Sequence, residues 1–232
     1  MNKHSSITEN PVRRLFADIA ERYDRMNRVM SLGLDIVWRR CSILHVAIPD
    51  DGAILDLACG TGDFTAELAR RWPDAEIDGV DLTPEMLEIA RVKLKDAKNV
   101  MLFQGDAQNL SGLPRKEYDL IVCAFGFRNF PDKRKALSEC RRLLAAGGRL
   151  VVLELFRPES KVLGTLVNMW LAVTSRIFAS GADKEYRYLR SSVKNTSSAG
   201  EFIAMAEENG FAIRSRRFLP PAANCLEFEA TA

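Results

Sequence analysis

Histidine is nearly absent from this sequence and cysteine is sparse: two and five among 232 residues. The cysteines, Cys41, Cys59, Cys123, Cys140 and Cys225, are odd in number and form no C-x-x-C pair. That usage gives no disulfide framework and no zinc-ligand spacing, so no metal is expected, and a reducing cytoplasmic setting is. No apolar run reaches bilayer length; the longest, VLGTLVNMWLAV at 162–173, is interrupted by Asn168. The opening MNKHSSITENP has no apolar core of a secretory signal. Excess charge is lacking too. Lys and Arg number 33 against 31 Asp and Glu, a net +2, which is too weak a field to point to nucleic acid. The basic residues are scattered and are not interleaved with aromatics. Internal repeats, low-complexity tracts and domain linkers do not occur.

What remains is ordinary globular chemistry: 47% apolar and 28% charged residues, enough for one domain with a large core. Five short strand-like runs, 53–58, 76–82, 100–106, 118–125 and 149–155, alternate with helical segments at 63–71, 84–95 and 133–144. Thr83-Pro84 reads as a helix start and Gly147-Gly148 as a stop. This rhythm predicts an α/β fold with a doubly wound, mostly parallel sheet and helices on both faces. Asn10-Pro11 opens an N-terminal helix whose Val12, Phe16, Ile19 and Tyr23 share one face, and a second helical piece holds Ile36, Val37 and Trp38. The expected division of the single domain 1–232 is a helical cap at 1–50, a cofactor-binding core at 53–155 and a helical insertion or lid at 158–195. A last helix (199–209) and strands at 211–218 and 225–230 follow.

The stretch LDLACGTGD (55–63) lies where the first strand turns into its helix. Gly60 and Gly62 let the backbone approach a ligand closely. Asp81 ends the second strand about 20 residues on, where an acid can bind both ribose hydroxyls. A dinucleotide is the obvious rival. Yet Thr65 stands where the third glycine of G-x-G-x-x-G belongs, and Asp63 would repel a pyrophosphate at the helix N-terminus. Asp56 adds an acid before the turn, and Asp106 another after the third strand, placed for an adenine amino group. S-adenosylmethionine has no phosphate and carries two cationic groups, so these acids favour it as cofactor; a glycine turn without a ligand is the plain alternative.

Residues 53 to about 155 resemble the class I methyltransferases. Three stretches, FADIAERYDRMNRVMSLGLDIVWRR (16–40), FGFRNFPDKRKALSECRRLLAAGGRLVVLEL (125–155) and DKEYRYLRSSV (183–193), resemble the ubiquinone/menaquinone biosynthesis C-methyltransferases more narrowly, with likeness over roughly residues 12 to 219. The resemblance implies a Rossmann-like seven-stranded sheet with a reversed last strand. It implies methylation of a ring carbon of a prenylated demethylquinol, benzoquinol or naphthoquinol, with S-adenosylmethionine. By position it places cofactor contacts on Thr61, Asp81, Asp106 and Ala107. A family serine before F-G falls on Ala124, so that contact is not carried over.

Ring C-methylation needs a phenolate-like oxygen beside the reacting carbon. Ionising a phenol of pKa ~10 at pH 7 takes about 4 kcal/mol, which a fixed guanidinium in a water-poor pocket can largely offset. Arginine is too basic to accept a proton. Arg128 is therefore assigned to polarising a hydroxyl, directly or through a water that Asn129 orients, and Tyr23 to the same pocket from the N-terminal helix. The alternatives are a structural salt bridge for Arg128 and a core position for Tyr23. Asp24 and Asn27 read as structural, and Phe125, Phe127 and Phe130 as pocket wall or core. A prenylated substrate makes the membrane surface an expected partner, with 162–178 as an interfacial segment flanked by Lys161 and Arg176, or as a pocket roof. Tyr186, Arg187 and Tyr188 belong to the lid. A homodimer is left open. The competing functions are a small-molecule methyltransferase of another pathway and a cofactor-binding scaffold without turnover.

Overall fold

The computed structural model describes residues 11–161, 164, 165, 167, 169, 170 and 191–231. Asn10, most of the 162–178 segment and Tyr186, Arg187 and Tyr188 lie outside the described residues. Of the expected lid, the described parts around 161–170 and 191–195 are helical.

Strands β1 (Ala53–Leu57), β2 (Glu76–Asp81), β3 (Val100–Gln104), β4 (Tyr118–Ala124), β5 (Leu144–Glu154), β6 (Phe211–Leu219) and β7 (Ala223–Ala230) form one sheet. Its order is β3-β2-β1-β4-β5-β7-β6. The first five strands pair in parallel; β7 runs antiparallel to both β5 and β6. The Rossmann-like sheet with a reversed last strand is thus present. The strand order reverses between β1 and β4, so a crevice opens at their C-terminal ends.

Period-two alternation explains the layers. Leu55, Leu57, Ile121, Cys123, Leu150 and Val152 face one side, packed with α5 (Lys133–Leu143) and α6 (Ala199–Glu208). Ile54, Leu120, Val122, Val151 and Leu153 face the other, packed with α2 (Leu34–Ile43) and α3 (Asp63–Arg71). Phe202 of α6 is fully buried among Phe127, Phe156 and Phe228; burying such a side chain stabilises by about 1.5–3 kcal/mol. Ser198 and Glu201 form a reciprocal cap that starts α6.

The N-terminal α1 (Pro11–Ser31) places Ile19 and Ala20 on Met86 of α4 (Pro84–Lys93). Leu32 and Gly33, both with positive φ, then turn the chain into α2. Trp38 of α2 donates from Nε1 to the Pro220 carbonyl at 2.9 Å, and Arg217 of β6 donates to the Cys41 and Ser42 carbonyls. The cap is therefore pinned to the far side of the sheet.

Strand β5 begins earlier than the apolar run suggests. Leu144 leaves α5 in an extended conformation and pairs with Tyr118. The register then jumps, so that Leu120 meets Arg149, and the intervening residues bulge through Gly147 at φ 77°. The sequence reads that bulge as the helix end at Gly147-Gly148.

Gly62 sets the angle between β1 and α3. Its φ is 82°, and an added Cβ would lie 2.9 Å from Leu94 Cδ1 and 3.2 Å from Ala90 Cβ. Gly62→Ala should therefore destabilise the protein by about 1–3 kcal/mol through strain and overpacking. Denaturant unfolding checks this; an unchanged midpoint would show that the turn can shift freely.

Candidate functional site

The turn after β1 is wound tightly. Ala58, Gly60 and Gly62 have φ of 58°, 56° and 82°. For Ala58 that conformation costs about 1–3 kcal/mol, a strain typical of ligand-holding turns. Asp81 at the end of β2 ties the turn down: its carboxylate accepts from Gly60 N at 2.9 Å and Thr83 N at 2.8 Å. Burial nevertheless pushes Asp81 above the usual carboxylate range. After β3, Asp106 accepts from the backbone and side-chain nitrogens of Gln108 at 2.9 and 3.0 Å. These strand ends and α1 enclose a cavity of about 770 Å³, counting the open solvent at its mouth.

The structure brings Gly60, Asp81, Asp106 and Ala107 together on this wall, with Tyr23 and Asn129. Thr61, Gly62 and Asp56 lie behind it. Thr61 Oγ1 donates to Asp24 at 2.5 Å, and Gly62 caps α3. Asp56 sits on the β1 face that points at α3, where its carboxylate accepts from Thr65 Oγ1 at 2.6 Å. Burial lifts its pKa to about 7, against the opposing pull of the Thr65 hydrogen bond and the Arg39 charge. Arg13, Phe16, Met86 and Phe130 complete the cavity. Sequence reasoning gave none of them a ligand role beyond pocket wall for Phe130.

A second cavity, about 450 Å³ with its mouth, shares Tyr23 and Phe125 with the first. Met30, Trp38, Leu155 and Trp170 give it apolar walls; Asp35, Arg39 and Arg128 bring charge. Phe125 ends β4 with φ 60°, and its carbonyl accepts from Arg128 Nη1 at 2.8 Å and Asn129 Nδ2 at 3.3 Å. A cation and an amide follow the aromatic pair because they clamp this bent strand end. Arg128 Nη1 also meets Glu154 Oε1 at 2.5 Å, and Glu154 Oε2 accepts from Arg128 N at 3.1 Å. Both side chains are buried. The structural salt bridge and a place on a cavity wall thus coexist. Glu154 carried one legible signal: a lone carboxylate in the apolar run VVLELF must find a buried partner.

A chain of charges fixes the cap over the turn. Arg28 of α1 meets Asp63 at 2.7 Å and also Asp35; Lys93 of α4 meets Asp24 at 2.7 Å and also Asp63. Burial alone would raise the Asp63 pKa, but Lys93, with Arg39 and Arg28, outweighs it and holds the group below the usual range.

Two outcomes follow from these buried acids. Glu154→Ala leaves the Arg128 guanidinium buried without this carboxylate and should cost about 3–5 kcal/mol; an unfolding midpoint equal to wild type would show that the pair is not needed for stability. Asp56 titrates near 7 when folded and near 3.8 otherwise, so the folded state binds its proton more tightly. Its favourable contribution is full below about 3.8 and is lost as pH rises through about 7. Relative to wild type, Asp56→Asn should therefore gain stability between pH 4 and 8; melting temperatures across that range decide, and parallel curves would mean that Asp56 titrates normally.

A sequence model of the ubiE/COQ5 methyltransferase family matches residues 4–219. The demethylmenaquinone methyltransferase of Thermotoga maritima is 41% identical over 211 residues, covering 89% of this chain and 90% of the relative. The ubiquinone/menaquinone biosynthesis C-methyltransferase of Syntrophotalea carbinolica is 39% identical over 204 residues, 86% and 85% of the two chains. Among solved structures, an S-adenosylmethionine-dependent methyltransferase of Aquifex aeolicus superposes with TM-score 0.67 over 91% of this chain and 97% of its own, at 16% identity. The fold alone is thus shared with that structure. The sequence match over most of the chain goes further: the protein belongs to the ubiE/COQ5 methyltransferase family.

Proposed function

We propose that this protein transfers a methyl group from S-adenosylmethionine to a ring carbon of a prenylated demethylquinol, in menaquinone or ubiquinone biosynthesis. The observation that carries the reading is the shared wall: Tyr23 and Phe125 border both cavities, with Asn129 on the first and Arg128 on the second. A donor in one and an acceptor ring in the other react only where the methyl and the ring carbon touch, at about 3–3.5 Å, so Tyr23 and Phe125 would frame a passage between the two cavities. The relatives' printed names supply the quinone class.

The first cavity fits the donor chemically. Two carboxylates, Asp81 and Asp106, line it, and Arg13 is the sole cation among its described lining residues. Arg13 is turned toward Glu85 at 3.5 Å. Such a site suits a cationic nucleoside without phosphates. Asp81 would hold the ribose hydroxyls, Asp106 and Ala107 the adenine edge, and Gly60 the close backbone approach; Thr61, Gly62 and Asp56 would shape the turn from behind. When bound, S-adenosylmethionine supplies an electrophilic methyl on a sulfonium.

The chain's own residues prepare the acceptor. Arg128, held by Glu154 and the Phe125 carbonyl, cannot swing away from the second cavity and needs no reorganisation to meet an oxyanion. Asn129 orients a ring oxygen or water, and Tyr23 closes the wall from α1. The apolar side of the cavity, Met30, Trp38, Leu155 and Trp170, receives the ring and the start of a prenyl tail. No helix among the described residues is long and apolar enough to cross a membrane; a long-tailed substrate is met at the membrane surface.

Incubation with methyl-labelled S-adenosylmethionine and reduced demethylmenaquinone or demethylated benzoquinol tests the reading. Label is expected in the ring carbon. Tight donor binding with no transfer to either quinol would replace the reading with a scaffold role.

A further inference from the structure

Arg39 of α2 is a buried cation that the reading above does not use. Its side chain is 8% exposed and lines the second cavity. Nη1 is committed to Asp35, donating to its carboxylate at 2.7 Å and its carbonyl at 3.2 Å. Nε is buried and has no hydrogen-bond partner among the described residues. A buried donor left unmet costs about 1–3 kcal/mol, and a guanidinium has no acceptor role to fall back on. The guanidinium carbon of Arg39 lies 5.4 Å from the Phe125 ring centroid, and that of Arg128 lies 5.9 Å from the same centroid. Two fixed cations therefore flank one aromatic wall of one cavity. Each has a buried carboxylate behind it: Asp35 for Arg39 and Glu154 for Arg128.

We propose that Arg39 is a second substrate-holding cation, whose guanidinium takes the ring oxygen across the ring from the one that Arg128 polarises. The proposal rests on the reading of the second cavity as the acceptor site. Its chemistry asks for a ring with two oxygens on opposite sides, which a reduced 1,4-dihydroxy ring provides. Only the oxygen beside the methyl-accepting carbon activates that carbon, so Arg39 orients the ring and Arg128 promotes its ionisation. Asp35 fixes the Arg39 plane, and Ser31 in turn donates to Asp35 at 2.8 Å. The competing account is that the guanidinium only stacks on the Phe125 ring, in which case Arg39 is a packing residue.

The test compares two acceptors in wild type and Arg39→Met. One is a short-tailed prenyl dihydroxynaphthalene; the other is its monohydroxy analogue lacking the hydroxyl meta to the methyl-accepting carbon. Donor affinity by calorimetry and the melting temperature establish that each variant is folded. In wild type, kcat/KM should fall about ten-fold or more from the dihydroxy ring to the analogue, the scale of one hydrogen bond to a charged donor. In Arg39→Met the two acceptors should react equally, the loss appearing on the dihydroxy ring. If Arg39→Met does not fold, Arg39→Lys carries the same comparison, since it keeps a charge beside Asp35 but has a single nitrogen, which Asp35 occupies. Equal loss on both acceptors, or no loss, overturns the proposal. No methyl transfer by wild type to either acceptor instead overturns the acceptor-site reading beneath it.

Discussion

The ion-pair chain through Asp63 holds the two ligand spaces in one piece. The glycine turn ends at this residue, and α3 begins with it. Lys93 reaches it from α4 and Arg28 from α1, while Asp24 and Asp35 extend the chain on either side. Beside these contacts, α1 rests on α4 through an apolar seam, Ile19 and Ala20 on Met86 with Phe16, Tyr23, Met26 and Ile89 around them. Exposed ion pairs are worth about 0–1 kcal/mol each; here several share partners and Asp63 is mostly buried, so the network fixes position more than it adds stability. The same carboxylate that would repel a pyrophosphate becomes the anchor of the cap.

Much of the fold could be read because its signals are local. Apolar runs bounded by turn residues gave the seven strands, and their alternation gave two packed faces. Thr83-Pro84 marked the start of α4. The start of β5 was hidden because a bulge through Gly147 looks like a helix stop, and only pairing with Tyr118 distinguishes the two. Glu154 was quoted within a strand but given no partner, since its partner Arg128 lies 26 residues away.

The position of Asp81 and Asp106 on the cavity wall was legible from their place at strand ends. The site was illegible where geometry decides. Asp56 is an acid before a glycine turn, yet strand alternation turns it toward Thr65 and away from the cavity. Arg28 and Lys93 look like solvated helix faces in sequence, and Asp24 reads as structural but without a partner; their contacts span 35 and 69 residues. Arg39 sat inside a quoted signature with no role, because nothing in a sequence shows which nitrogen of a guanidinium lacks a partner.

The partition formed by Tyr23 and Phe125 has a thermodynamic corollary. A molecule in either cavity becomes part of the other cavity's wall, because the same two side chains bound both. Whatever free energy is gained or lost when one occupant presses on that layer is felt by the other, and by the same factor in each direction. On the proposed assignment, the half-saturation of donor and of acceptor would be linked quantities, each defined only at a stated concentration of the other.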